Sequence, residues 1–422
     1  MKPSSEALPL HANAGQAIAF SVARHSFGWF VAANLVGVWL AVLLLWPAAG
    51  DWAAPLTYGR WMPLHLDWQL YGWTALPTAG LLLIWFLDAR DPRALFHARL
   101  ALGAWSLALA LGGVSWLAGD VSGKLFLDWS GLARPLLPAA MLVLWGVLAR
   151  HTMLRWPTLA KGERLARVGL LVLLLPVPEA LYWSMGREVY PSVNPDSGGA
   201  TGSALLGSTL GIVSIFLLLP FLLRLPRTMS GIRRDWIGAF LALSWVAYVV
   251  IDHGNTSHHA AAQIVGLGLL LAWIPLLGIF WFSFEWPPAA RAWLWAALTW
   301  WALLVASGWA FFLPGISEAL KFTHALVGHT HLAVAGLITS LNAALLGVLT
   351  KRPAPRGVFT SWQAGTVIYV ASMLALGAVE TERAGDLFRS EGWTQALFGL
   401  RLAGGALMTF ASLRRLLSFW TP

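Results

Sequence analysis

The chain has 422 residues, 58% of them hydrophobic and 11% charged, with a formal net charge of +9 and no cysteine. Soluble domains carry about a quarter charged residues, so the composition excludes a water-soluble globular protein, a disordered chain and a disulfide-stapled one. Without thiols the chain offers no thiolate zinc site, no iron–sulfur ligands, no cysteine nucleophile and no attachment point for a c-type haem, so any metal is held by histidine, carboxylate or backbone.

Apolar runs near the length that crosses a bilayer, about 20 residues, recur along the whole sequence. They predict an all-α integral membrane protein, a single transmembrane domain over 1–422 with about twelve spans. The segment 1–25 precedes the first span, and a cleaved signal peptide is not expected. Spans are predicted near 27–48, 64–87, 100–118, 135–148, 168–185 and 204–223, then 236–251, 260–284, 293–313, 326–349, 362–379 and 397–419. The fourth and seventh are short or interrupted.

Charge alternates between the connecting loops. One set holds Arg90, Arg93, Arg99, Arg150, Arg155, Lys161, Arg164, Arg167, Arg224, Arg227, Arg233, Arg234, Lys351, Arg352, Arg356, Arg414 and Arg415. The other set holds Asp51, Asp120, Asp128, Glu188, Asp196, Glu318, Glu380, Glu382, Asp386 and Glu391. By the positive-inside rule both termini are cytoplasmic, and the basic balance reflects topology rather than nucleic acid. The expected location is a bacterial-type inner membrane, multi-pass, with lipid as the surrounding partner.

Four histidines, His11, His25, His97 and His151, fall in or beside cytoplasmic segments and read as solvated or headgroup-level side chains. The other seven, His65, His253, His258, His259, His324, His329 and His331, fall near the outer ends of spans two, seven, eight and ten. Ionisable groups at membrane depth are costly and mostly functional, so one layer of imidazoles suggests a metal or cofactor. His329 and His331, two apart, point about 200° apart on a helix. They therefore address different partners, which suits haem, a flat apolar group ligated axially by neutral imidazole.

Several motifs carry a resemblance. Arg60-Trp61-Met62-Pro63-Leu64-His65, Ser122-Gly123-Lys124 with Asp128-Trp129, Gln263 with Gly266, Gly328-His329-Thr330-His331, and Arg401-Leu402-Ala403-Gly404-Gly405 occur in this order. Together they resemble the catalytic subunit of cbb-type cytochrome oxidases, the C family of the haem–copper oxidase superfamily. The resemblance implies a low-spin haem b ligated by His65 and His331 and a high-spin haem on His329. Arg60, Lys321, His324 and Arg401 would be propionate partners, and Asp128 would lie near a calcium ion. Electrons would come from a separate c-type cytochrome subunit, alongside other small membrane subunits.

The copper site departs from the family pattern. The family takes one histidine from span six and a pair from the end of span seven. Here span six has no histidine, and the family position falls near Ala200. The pair corresponds either to Asp252-His253 or to His258-His259, and the redox tyrosine to Tyr248. A mixed histidine and carboxylate set suits non-haem iron as well as copper. Glu179, in span five, is expected to be a buried carboxylate serving as a metal ligand or proton relay. Three functions are compatible with these residues. The first is reduction of O₂ or NO at a haem with an atypical second metal, as in a cytochrome oxidase or a nitric oxide reductase. The second is a haem-binding electron-transfer or gas-sensing subunit without that metal. The third is a transporter, which would show broken helices and charges near the midplane.

Overall fold

A computed structural model describes residues 7–228, 231–382 and 392–420, with the backbone alone at 7–13 and 231–234. Asp386 and Glu391 of the acidic set lie outside the described residues, as do the side chains of His11, Arg233 and Arg234. The described chain is helical, with two isolated β-bridges, Val193 to Ala200 and Arg227 to Phe284. In chain order the helices are α1 (Ala7–Leu45), α2 (Tyr58–Asp67), α3 (Leu76–Phe86), α4 (Ala94–Ala118), α5 (Leu136–Arg155), α6 (Lys161–Leu174) and α7 (Val177–Ser184). There follow α8 (Gly202–Leu222), α9 (Gly231–Val250), α10 (Ala261–Gly268), α11 (Trp273–Trp281) and α12 (Pro288–Phe312). The last are α13 (Ile316–Leu320), α14 (His324–His331), α15 (Thr339–Thr350), α16 (Val358–Glu382) and α17 (Gly392–Leu417).

Ten helical segments among the described residues are long and apolar enough to cross a membrane. Two of the twelve expected spans fall short of that standard. One is the stretch from Tyr58 to Phe86, where polar residues around His65 and Asp67 dilute an otherwise apolar helix. The other is Asp235–Val250, apolar but shorter. The expected fourth span, by contrast, is a full-length helix, Gly131–Thr158. Both helices that carry the candidate haem ligands include π-helical turns: Trp68–Ala75 follows His65, and Leu332–Ile338 follows His331. Single π turns inside α-helices are frequent at functional positions.

Contacts divide the chain into two compact units. The first comprises Met1–Tyr190, Leu345–Ser361 and Met408–Pro422. Its core stacks Phe30 on Trp73 with centroids 3.9 Å apart, and Phe27 packs on Trp73 and Phe419. Tryptophan suits such a core because its body is apolar while its N–H finds a helix carbonyl. Trp105 donates to the Tyr71 carbonyl and Trp116 to that of Asp128. The arginines read as topology markers also end helices here. Arg167, fully buried, donates to the carbonyls of Trp85 and Phe86 at the end of α3 and pairs with Glu163 at 3.1 Å. Arg415 donates to the carbonyls of Arg352 and Pro353.

The second unit comprises Pro191–Ala344 and Trp362–Leu407. Its core is built on Trp273, Trp281 and Trp301, whose indoles donate to Ser244 Oγ and to the carbonyls of Phe216 and Trp273. Close approach of α16 to α14 requires Gly377, since a Cβ there would clash with the backbone of Ala325.

Candidate functional site

His65, on α2 of the first unit, donates from Nδ1 to the Ala33 carbonyl at 2.9 Å. That hydrogen bond fixes the tautomer and puts the lone pair on Nε2, the arrangement in which imidazoles ligate metals. Gly37 makes room for the ring: a Cβ there would lie 2.6 Å from His65 Cε1. Arg60 donates to the Leu117 carbonyl at 3.0 Å, packing under the left-handed Gly119 at the end of α4. Asp128 is buried in the loop after α4, beside Asp67, which is fully buried. Burial pushes the Asp128 carboxyl up to about 6, opposed by the Gly123 backbone N–H. Two buried acids offer the oxygen donors that a hard cation prefers. Glu179 corrects the expectation of a buried relay: it is exposed on α7. Only 17% of that span's apolar window is buried, so its apolar run records outer surface and not an interior.

In the second unit, His331 repeats the His65 arrangement. Its Nδ1 bonds the Val327 carbonyl at 2.8 Å, and its ring stacks on Tyr369 with centroids 4.1 Å apart. Arg401 lies over the other members of this aromatic group, 5.4 Å from the Tyr369 centroid and 6.0 Å from that of Phe398, and its Nε is buried without a hydrogen bond. His324 is bound to Glu380: Nδ1 meets one carboxylate oxygen at 2.7 Å while its backbone N–H donates to the other, also at 2.7 Å. Glu380 thereby caps α14 and holds the His324 ring through Nδ1.

His329 faces the opposite way, as its two-residue offset requires. Its Nδ1 lies 3.1 Å from Ser307 Oγ, and its ring packs on Phe311. It lines a cavity of about 390 Å³ with Ala200, Trp301, Trp309, Phe312 and Lys321 among its walls. Lys321, just after α13, has its pKa lowered by burial. An apolar cavity with one imidazole and one cation suits a haem: the imidazole as axial ligand, the ammonium toward a propionate. The buried Nε of Arg401 and the Nδ1-bonded rings of His65 and His331 fit haem in the same sense.

Copper beside His329 finds no second histidine among the residues that line the cavity. His329 is the one histidine lining that cavity among the described residues, no carboxylate lines it, and Ala200 stands in its wall. His258 and His259 are brought together behind the cavity wall, His258 lying 6.1 Å from the Phe312 ring centroid. Buried His258 bonds Asn194 through Nδ1 and Glu318 through Nε2, both at 2.6 Å, and His259 Nε2 lies 3.3 Å from Glu318. Donor atoms of Asp196, His258 and His259 lie within 4.8 Å of one another. The Glu318 carboxyl is held down to about 2, first by its own backbone N–H and then by His258. Asp252 and His253 do not join this group. Asp252 is exposed and bonds the Gly254 N–H and Thr256 Oγ1, which lower its pKa. His253 turns back to the Tyr248 carbonyl at 2.8 Å, and Tyr248 packs on His253 and against Gly207, away from the residues that line the cavity. Asn194, Glu318, Glu380, Tyr369 and Gly37 carry these contacts, and none shows a motif of its own in the sequence.

No family model and no curated protein matches this chain. Its structure is similar to a chain of a haem–copper terminal oxidase dimer solved by cryo-electron microscopy. The two share 14% identity over 97% of this chain and 84% of that chain, with a TM-score of 0.61. The similarity is one of fold, and the fold is an all-helical membrane one.

Proposed function

We propose that this chain is a di-haem membrane subunit that takes electrons from a c-type cytochrome partner and binds a small gas at the haem on His329. His65 and His331 would hold the low-spin haem b through Nε2, with Arg60 and Arg401 toward its propionates. His329 would hold the high-spin haem, with Lys321 toward its propionates. A haem with one axial histidine supplies the open coordination position that gas binding needs. Ser307 orients the His329 ring, and the tryptophan and phenylalanine walls exclude water. In this reading both termini are cytoplasmic, the haem sites lie near the outer face of a bacterial-type inner membrane, and Asp128 with Asp67 holds calcium. The observation that carries it is the His329 cavity, whose lining offers one imidazole and no donor for a second metal.

A second reading is reduction of O₂ or NO with an atypical second metal, copper or non-haem iron. It is favoured by the Asp196, His258 and His259 group, a donor set of the right chemistry. Reduced-minus-oxidised spectra with and without CO, together with iron and copper analysis, distinguish the two. Two irons, CO binding to one haem and no further metal support the first reading, whereas a third redox metal supports the second. His65→Ala and His331→Ala are expected to abolish the low-spin signal, and His329→Ala to abolish CO binding. Absence of haem from the purified protein overturns both.

A further inference from the structure

The first unit contains a second histidine cluster, formed by the two residues read from sequence as solvated. His97 stands in the first turn of α4 and His151 near the last turn of α5, and these helices pack together. His97 Nδ1 and His151 Nε2 face one another at 3.0 Å. His151 is 1% exposed, and its other nitrogen, Nδ1, is buried without a hydrogen bond. Asp91, in the turn between α3 and α4, directs Oδ2 toward that nitrogen at 3.9 Å, while its Oδ1 accepts the Arg93 N–H. One donor atom from each of Asp91, His97 and His151 lies within 4.8 Å of the other two.

We propose that Asp91, His97 and His151 form a binding site for a divalent transition metal of the zinc class. Two neutral imidazoles in contact share a single proton between their facing nitrogens, and a buried imidazole N–H or lone pair left unpaired is costly. A metal ion takes the place of that proton, which moves to the other nitrogen of the ring that donated it, so that both neutral imidazoles turn a facing lone pair to the metal. Zinc bonded to two imidazoles at about 2.0 Å each holds the nitrogens about 3.3 Å apart, so the rings need to separate only by a few tenths of an ångström. Asp91 supplies the third donor and one negative charge. Two nitrogens and a carboxylate suit zinc, copper or nickel, whereas calcium and magnesium prefer an all-oxygen set. Neighbouring Asp88 is engaged with Arg155 at 3.8 Å and leaves the set undisturbed. Bound metal ties the α3–α4 turn to the end of α5.

The test uses the full-length protein purified in detergent, stripped with EDTA, dialysed and titrated with Zn²⁺ against a chromophoric chelator. Bound zinc is counted by mass spectrometry, and its ligands are read by X-ray absorption at the zinc edge. The wild type is expected to hold one zinc with two imidazole ligands, which His97→Gln loses. Asp91→Asn is expected to weaken it at least tenfold, with haem content unchanged in both. His97 is the chosen site because it is less buried than His151, whose substitution puts folding at risk. His259→Gln is the control for the Asp196, His258 and His259 group and is expected to keep this zinc. No bound zinc in the wild type, equal zinc in His97→Gln, or loss in His259→Gln in place of His97→Gln overturns the proposal.

Discussion

Gly37 and His65 are matched across α1 and α2: the hydrogen in place of a side chain at Gly37 is what lets the imidazole lie against the helix and reach the Ala33 carbonyl. A Cβ would fall 2.6 Å from the ring, inside any ordinary contact distance. Gly37→Val is therefore expected to turn His65 out of its hydrogen bond. The low-spin band in reduced-minus-oxidised spectra should fall to a small fraction of wild type, with CO binding at the other haem retained. An unaltered low-spin band would show that His65 is not a ligand.

Arg167 is expected to matter for stability although its neighbours are apolar. Arg167→Leu leaves the Trp85 and Phe86 carbonyls and Glu163 without their donor. Breaking a buried charged network of this kind costs about 3–5 kcal/mol. Thermal unfolding in detergent should show a clear fall in Tm, and haem spectra before unfolding should be unchanged.

Asp128 gives stability a pH dependence of definite sign. Its carboxyl titrates at about 6 in the fold because burial disfavours the charge, against about 3.9 in an unfolded chain. Between those values the folded state holds more protons than the unfolded one. Its contribution is thus fully present below about pH 4, and stability declines as pH rises toward 6. In EDTA, Asp128→Asn should flatten this part of the Tm profile and raise Tm at neutral pH relative to wild type. A profile identical to wild type would contradict the buried-acid assignment. Calcium added to the wild type is expected to reverse the loss.

Glu318 works in the other direction. Its pKa of about 2 lies below the ordinary glutamate value, held there by backbone N–H donors and His258. Its contribution is present above about pH 4.3, the unfolded value, and disappears as pH falls toward 2. Glu318→Gln is expected to lower Tm near neutrality and to remove the part of the acid-side slope that the wild type shows. The nitrogens of His258 and His259 should report the change by NMR as altered tautomers.

Much of the architecture is legible in the sequence because membrane helices announce themselves by length and hydropathy. The second expected span is helical but less apolar, since His65 and Asp67 are polar where a lipid-facing helix would be apolar. Burial is harder to read than span position. Glu179 and Asp67 both sit in helical segments, yet one is exposed and the other fully buried. Which face of a helix is covered depends on the distant segments packed against it, and neither segment's own residues specify those. The candidate haem histidines are legible by spacing, because a two-residue offset on a helix sends His329 and His331 to different partners. Their supports are not, because the Ala33 and Val327 carbonyls are backbone groups and Glu380 comes from a distant helix. His97 and His151 read as solvated for a related reason: 54 residues separate them, and only the packing of α4 on α5 brings their rings together.

The two π-helical stretches set the rotational phase of their helices. A π turn accommodates one more residue than an α turn, and one residue corresponds to about 100° around the axis. Deleting a single residue within Trp68–Ala75 or Leu332–Ile338 would let the helix revert to regular winding without shifting the segments at its ends. The portion bearing His65 or His331 would then keep its contacts while the portion beyond the π-helical stretch kept its own, so the deletion is absorbed as winding rather than as a shift in register. These stretches are the places where the chain can change length by one residue and preserve both ends, and where an insertion elsewhere in either helix could not be hidden.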